Sequence, residues 1–141
     1  MGNPFVHAEL SVDDVAAAKK FYKTLFDWKL SDLGPDMGNY VMVDVGSKTS
    51  GGGITAKMSP SQPSGWLSYV EVASVKTTIA KAQKAGAQIV VPYQEVGGMG
   101  AFGVFIDPQG AALGVWEKAK PSPKKAAKKP AAKKKSPAKK K

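Results

Sequence analysis

The chain contains no cysteine and no arginine among its 141 residues, and it has no acidic residue after position 117. Without cysteine, disulfide bonds and thiolate metal sites are excluded. No stretch approaches the ~18 consecutive apolar residues of a transmembrane helix, and no apolar run of signal-peptide length follows position 1. We therefore expect a soluble cytoplasmic protein without an integral membrane segment.

The end of the acidic residues marks a C-terminal segment of a different kind. Residues 118–141 carry twelve of the 21 lysines and a charge of +12, whereas residues 1–117 sum to −2. A segment built almost entirely of lysine, alanine, proline and serine cannot bury a hydrophobic core, and its prolines block a long helix. The sequence predicts a disordered lysine-rich tail over residues 118–141.

The composition of this tail indicates binding to nucleic acid. Lysines that neutralise phosphates release condensed counterions, which favours association with polyanions. The tail holds an SPKK element at 122–125 and is similar to the C-terminal tails of linker histones. Without arginine or aromatic residues it offers little base readout or stacking, so we expect sequence-tolerant binding of DNA or RNA and a nucleoid- or chromatin-associated protein. The lysines predicted to contact nucleic acid are Lys124, Lys125, Lys128, Lys129, Lys133, Lys134, Lys135, Lys139, Lys140 and Lys141.

Two other interpretations of the tail stay open. It could serve only to keep the protein in solution, with no dedicated partner. It could also bind an anionic membrane surface, since basic clusters gain about 1 kcal/mol per lysine there.

The first 117 residues contain an internal repeat. Shifted by 60 residues, His7–Val12 falls on Leu67–Val72, and a helix start follows each segment. The sequence predicts an α+β fold of two βαβββ modules, at residues 1–57 and 65–117, joined by a linker at 58–64. The three strand-like runs after each helix are Trp28–Leu33, Asn39–Val45 and Gly52–Ala56 in the first copy, and Gln88–Pro92, Ala101–Ile106 and Ala112–Glu117 in the second.

Each copy also carries helix start and stop signals. Asp13 or Asp14 can cap the first helix, and Ser74 can cap the second. Gly86 is placed to end the second helix. Apolar residues follow at helical spacing, which predicts one buried stripe per helix. The stripe residues are Val15, Ala18, Tyr22 and Leu25 in the first helix, and Val75, Ile79 and Ala82 in the second.

This pattern resembles the vicinal oxygen chelate superfamily, which includes glyoxalase I, extradiol dioxygenases and bleomycin-binding proteins. The resemblance covers about residues 4–118. Its most specific marks are the aromatic helix end at 21–28 and the turn at 107–110, Asp-Pro-Gln-Gly. It implies that the modules form a curved mixed sheet around a cleft and that the chain forms a homodimer. The resemblance does not indicate which reaction, if any, is catalysed, because proteins of one fold catalyse many different reactions.

The resemblance also implies where a metal would bind. The ligand positions of metal-dependent relatives fall here on His7, Gly52, Leu67 and Gly114, and only His7 can donate to a metal. Since a catalytic zinc site needs three protein ligands, we expect no metal and no cofactor. The alternative is a substitute set of ligands made of His7, Glu9 and Glu71.

Five residues are candidates for the site. Strand alternation places His7 and Glu9 on one face, and Tyr69 and Glu71 on the matching face of the second copy. His7 and Glu9 are the candidate catalytic groups, either of which could act as a general base and remove a proton next to a carbonyl. Tyr69, Glu71 and Trp116 are the candidate ligand-binding residues, with the two aromatic rings available for stacking. Each could instead serve only in the core or in an ion pair at the rim.

These observations together predict a metal-free, glyoxalase-like domain that binds a small organic ligand and is held near nucleic acid by its tail. A lyase or isomerase of glyoxalase type acting on a carbonyl compound is one alternative, although no electrophile is evident to stabilise an enediolate. An architectural protein, whose fold dimerises and whose tails bridge DNA, is another.

Overall fold

The computed structural model describes residues 2–120. The predictions for the lysines from Lys124 onwards therefore lie outside the described residues. In chain order the elements are β1 (Phe5–Val12), α1 (Val15–Leu25), β2 (Lys29–Asp32), a short 3-10 helix (Pro35–Met37), β3 (Val41–Asp44), β4 (Gly51–Ala56), β5 (Gly65–Glu71), α2 (Val75–Lys84), β6 (Gln88–Val96), β7 (Gly100–Ile106) and β8 (Ala112–Lys118).

All eight strands form one mixed sheet in the order β2-β3-β4-β1-β5-β8-β7-β6. The first strands of the two halves, β1 and β5, pair antiparallel at its centre, with His7 opposite Tyr69 and Glu9 opposite Leu67. Each central strand also pairs in parallel with the last strand of its own half, β1 with β4 and β5 with β8. The predicted α+β fold with a shared, curved mixed sheet is confirmed.

The two helices begin where the sequence places their caps. The Asp14 carboxylate accepts a hydrogen bond from the backbone N–H of Ala17 at 3.0 Å, and the Ser74 hydroxyl accepts one from Thr77 at 3.1 Å. These bonds satisfy backbone donors that the first helical turn cannot pair internally. Asp13, the other candidate cap, instead pairs with Lys57 at 3.1 Å.

Two hydrophobic clusters hold the helices against one face of the sheet. In the first half, Leu10 and Ile54 are buried beneath α1. In the second half, Val75 and Ile79 of α2 pack on Val115. Ile54 is fully buried, and burying such a side chain contributes about 1.5–3 kcal/mol. The helices therefore cover a single face, and the opposite face of the sheet is left open.

The stripe prediction for α1 was wrong at Leu25. That side chain is 55% exposed and ends the helix, while Val15, Ala18 and Tyr22 pack against the core as expected. The ring of Trp28 takes the place next to Tyr22, at 5.9 Å between centroids. The aromatic residues after the helix therefore close this side of the core.

The prediction that the sixth strand ends at Pro92 was also wrong. β6 continues to Val96, and it lies at the edge of the sheet, paired only with β7. The pairing register shifts between Val91 and Gln94, so the irregularity spans the proline. An edge strand tolerates proline there because the missing N–H removes no ladder hydrogen bond.

The turn between β7 and β8 has a structure that accounts for its sequence. The Asp107 carboxylate accepts hydrogen bonds from the backbone N–H groups of Gln109 at 2.8 Å and Ala111 at 3.0 Å. Gly110 has a φ of +95°, which favours glycine. The backbone bonds, that of Ala111 first, lower the pKa of Asp107. Within residues 2–120, neither helix is long and apolar enough to cross a membrane.

Candidate ligand-binding site

The open face, the side of the sheet opposite the helices, carries the predicted site residues. Because side chains alternate along a strand, His7 and Glu9 of β1 point away from the buried Leu10. The pairing of His7 with Tyr69, and of Tyr69 with Gly114, places all three positions on that same face. Trp116 follows two residues after Gly114 on β8 and shares the face.

Four polar side chains form a connected group at the centre of this face. The Nε2 atom of His7 lies 2.8 Å from the Tyr40 hydroxyl. The Tyr69 hydroxyl donates to the Glu9 Oε1 atom at 3.4 Å, and the Tyr40 hydroxyl also lies close enough to hydrogen-bond to Glu9. Since a phenol carries one proton, Tyr40 can donate to His7 or to Glu9 but not to both. Donation to Glu9 requires that His7 carry its proton on Nε2.

Burial sets the protonation chemistry of this group. It raises the pKa of the Glu9 carboxyl, while the hydrogen bonds of Tyr40 and Tyr69 act in the opposite direction and only reduce the effect. Burial lowers the pKa of His7. Burial first, and the nearby Glu9 second, raise the pKa of both phenols above its ordinary value, so both hydroxyls stay protonated donors at neutral pH.

Aromatic rings on the open face lie directly over glycines of neighbouring strands. A Cβ atom added to Gly53 would overlap the Tyr40 hydroxyl, and one added to Gly114 would overlap the Tyr69 ring. A Cβ atom at Gly100 would lie 2.8 Å from the Cζ2 atom of Trp116. Glycine is required at these positions because no side chain fits beneath the rings.

Comparison with known proteins gives this arrangement a context. A profile described as bleomycin resistance protein-like N-terminal matches residues 4–46. A Mycobacterium bovis protein named Putative glyoxylase CFP32 is 32% identical over 115 residues, which is 77% of this chain and 43% of that protein. The methylmalonyl-CoA epimerase of Mycobacterium tuberculosis has a TM-score of 0.61 at 16% identity, over 88% of this chain and 91% of its own. A glyoxalase/bleomycin resistance protein/dioxygenase superfamily member from Vibrio splendidus 12B01 has a TM-score of 0.58 at 11% identity, over 83% of this chain and 100% of its own.

These findings agree with the resemblance to the vicinal oxygen chelate superfamily, since a bleomycin resistance protein-like profile and a glyoxylase are among the matches. The chain spans less than half the length of the curated relatives it matches, 43% in the case of the Mycobacterium bovis protein. The two solved structures, at 16% and 11% identity, establish the fold alone.

The residues present do not fit the metal of the superfamily's metal-dependent members. The position on β4 that faces the site is Gly53, opposite Glu9, and not Gly52, which the resemblance implies. A Cβ atom at Gly52 would point to the helix side, 3.5 Å from that of Val43. Gly53, Leu67 and Gly114 supply no donor, and residues 2–120 contain no group of three or more His, Cys, Asp or Glu side chains able to hold a metal ion.

The alternative set of His7, Glu9 and Glu71 is not brought together. Glu9 lies opposite Leu67, and Glu71 lies four residues further along β5. The Glu71 carboxylate instead pairs with the Lys118 ammonium at 3.4 Å. Glu71 therefore lies at the rim, as the ion-pair interpretation of this residue predicts.

Sequence reasoning missed Tyr40, which contacts both predicted polar groups. Shifted by 62 residues, Tyr40 falls on Phe102, an aromatic residue that lies opposite Trp116 on the same face. That match would have placed Tyr40 on the open face. Trp66, opposite Leu10, lies on the other face, with its ring 5.6 Å from that of Tyr22.

A depression of about 570 Å³ lies apart from this group, beside the start of α1. Its lining includes Asp13, Asp14 and Asp32, together with Lys19. It shares no residue with the group around Glu9, and its lysine already pairs with Asp32 at 2.9 Å.

Glu9→Gln should remove a pH-dependent loss of stability. Because the pKa of Glu9 is raised above its ordinary value of 4.5, the native state binds more protons than the unfolded chain between these two pKa values. The stability contributed by Glu9 is therefore fully present below about pH 4.5 and is lost as the pH rises through the folded pKa. Urea unfolding at several pH values measures this effect. As the pH rises, the free energy of unfolding of Glu9→Gln should increase relative to that of the native protein, by about 1.4 kcal/mol for each unit by which the Glu9 pKa is raised.

Glu95→Gln is the matched control, since Glu95 is exposed on edge strand β6. His7 titrates in every variant, so the difference between the profiles isolates Glu9. Parallel stability profiles for native protein and Glu9→Gln between pH 4 and pH 8 would contradict the raised pKa of the Glu9 carboxyl.

Proposed function

We propose that the open face binds a small organic molecule with a planar ring, and that the lysine tail tethers this binding domain to nucleic acid. The binding of a planar molecule is supported by the row of aromatic rings that lie over glycines, from Tyr40 through Tyr69 to Trp116. Tyr40 and Trp116 are partly exposed and can offer ring surface to a molecule above the sheet, whereas Tyr69 is only 5% exposed. Planar molecules stack on such surfaces with a gain of about 0.5–1.5 kcal/mol per ring beyond area burial.

The polar group supports the same interpretation. His7 and Glu9 lie among the rings, with Tyr40 and Tyr69 holding them by hydrogen bonds. Binding sites combine an apolar lining with a few fixed polar groups that orient the ligand. The open face combines aromatic rings with these polar groups. On the helix face, the side chains between the helices and the sheet pack into the two hydrophobic clusters.

The tether is supported by charge. The 24 residues of the tail carry twelve lysines, while the body has a slight acidic excess, so the attraction to a polyanion is concentrated in the tail. Lys118, the first of these lysines, extends β8 at the rim of the open face through its pair with Glu71. The tail therefore starts beside the proposed binding site.

Trp116→Leu should weaken binding of the neutral planar probe 2-naphthylmethanol by about two- to tenfold, because one stacking ring is lost. Trp66→Leu is the matched control, since Trp66 lies on the helix face and is 45% exposed. Calorimetric titration of the full-length proteins measures both affinities. Absence of binding to the native protein, or equal loss in both variants, would refute a ligand site on the open face.

Proton transfer next to a carbonyl is a second candidate, favoured by one observation. Two protonated phenols, Tyr40 and Tyr69, surround the carboxylate of Glu9, whose pKa is raised toward neutrality. A base with donors beside it can remove a proton and stabilise the developing oxyanion. Incorporation of solvent deuterium at the α-carbon of a carbonyl compound would establish this proton transfer, provided that Glu9→Gln abolishes the incorporation.

The homodimer implied by the resemblance stays a prediction.

A further inference from the structure

We infer that the ligand of the open face carries an alkylammonium group, which binds against the Glu9 carboxylate. This inference rests on the proposed binding function and specifies the chemical class of the ligand. It follows from the surroundings of Glu9, a carboxyl group on the open face that has aromatic neighbours and no lysine partner within residues 2–120.

No lysine of the described region neutralises Glu9. The ion pairs within residues 2–120 join Lys19 to Asp32, Lys57 to Asp13 and Lys118 to Glu71. Glu9 is partly buried, which makes an unpaired charge costly, and its phenol neighbours supply one bond of 3.4 Å and a shared proton. The free energy lost by burying this charge is recovered when a cation reaches it.

The neighbouring rings suit an ammonium ion better than a metal or an anion. The Tyr69 ring lies edge-on to His7 at 5.6 Å and to Phe102 at 6.0 Å, and Tyr40 lies on the other side of His7. Aromatic faces attract cations through their quadrupole, and a charge-assisted bond to a carboxylate adds to this. Metals are disfavoured because Gly53, Leu67 and Gly114 provide no further ligands.

Two sources could supply an alkylammonium group, a free amine or a lysine side chain of the tail. The tail continues from Lys118 at the rim of the open face, and it contains ten lysines from Lys124 onwards. Both sources would place the same alkylammonium group against Glu9. A variant of the tail lysines is needed to tell a free amine from a lysine side chain.

The test compares two probes that differ in one group. We expect 2-naphthylmethylamine, cationic at pH 7, to bind the full-length protein at least about tenfold more tightly than neutral 2-naphthylmethanol. Glu9→Gln should abolish this preference, so that this variant binds the amine and the alcohol with equal affinity. The Glu95→Gln protein is the control for removal of a carboxylate elsewhere.

The source of the ammonium group is tested with a full-length variant in which the ten tail lysines from Lys124 onwards are changed to glutamine. Tighter binding of the amine to this variant than to the native protein assigns the site to a tail lysine. Equal binding assigns it to a free amine, and both results support an ammonium site.

Equal affinities of the native protein for amine and alcohol would overturn the inference, and this comparison needs no variant to fold. That result would leave the proposed function intact, provided that the alcohol binding depends on Trp116. Binding of neither probe would refute the proposed function itself. An amine preference that persists in Glu9→Gln would also overturn the assignment to Glu9.

Discussion

Full-length protein should lose roughly a thousandfold in affinity for double-stranded DNA when the salt concentration rises from ~50 to ~200 mM, if about six tail lysines engage phosphates at once. The reason is counterion release, which makes log K fall by about 0.9 per phosphate contact for each tenfold rise in salt. A full-length variant with the ten lysines from Lys124 onwards changed to glutamine should bind far more weakly at low salt and show almost no salt dependence.

The matched control changes lysines of the body instead. Lys20, Lys81 and Lys84 are exposed on the helices, and their change to glutamine should leave the salt slope unaltered. Fluorescence anisotropy with a labelled duplex of mixed sequence measures all three proteins. Equal affinity of the tail variant and the native protein would refute the tether, and a strong preference among duplex sequences would contradict binding through lysine alone.

Gly100→Ala should destabilise the fold by about 3 kcal/mol or more, the largest effect we expect from adding a single methyl group. Gly100 begins β7 with a φ of +148°, a conformation that is strained for any side chain. The added Cβ atom would also overlap the carbonyl oxygen of Glu117 and lie 2.8 Å from the Trp116 ring. Backbone cannot move aside as a side-chain tip can.

Gly98→Ala is the control, because nothing lies within 4 Å of the added Cβ atom and its φ is outside the strained range. It should change the free energy of unfolding by less than about 1 kcal/mol. Urea unfolding of the two variants measures both effects. A Gly100→Ala protein as stable as Gly98→Ala would contradict the positive φ of this glycine and its close contacts with Glu117 and Trp116.

Much of the fold could be predicted because its signals are local. The caps Asp14 and Ser74, the stop at Gly86 and the turn at Asp107 act through hydrogen bonds or φ values within a few residues. The repeat then indicates that two such units share one plan. Strand ends were less certain, as β6 shows, because an edge position and a register shift allow Pro92 inside a strand.

Within the candidate site, the strand face could be predicted and the partners could not. Alternation along β1 and β5 placed His7, Glu9 and Tyr69 together, as the structure has them. It could not show that Glu71 pairs with Lys118, because the two residues are 47 positions apart and meet only through the pairing of β5 with β8.

The sequence alone determined the charge of the tail, the duplicated βαβββ pattern and the shortage of metal donors, since each follows from residue type and spacing. Only the tertiary structure decided that Tyr40 joins His7 to Glu9, that Gly53 rather than Gly52 faces them, and that aromatic rings cover three glycines. The physical reason is register. A shift of one residue in strand pairing exchanges the two faces of a sheet, and register is set by contacts between distant segments.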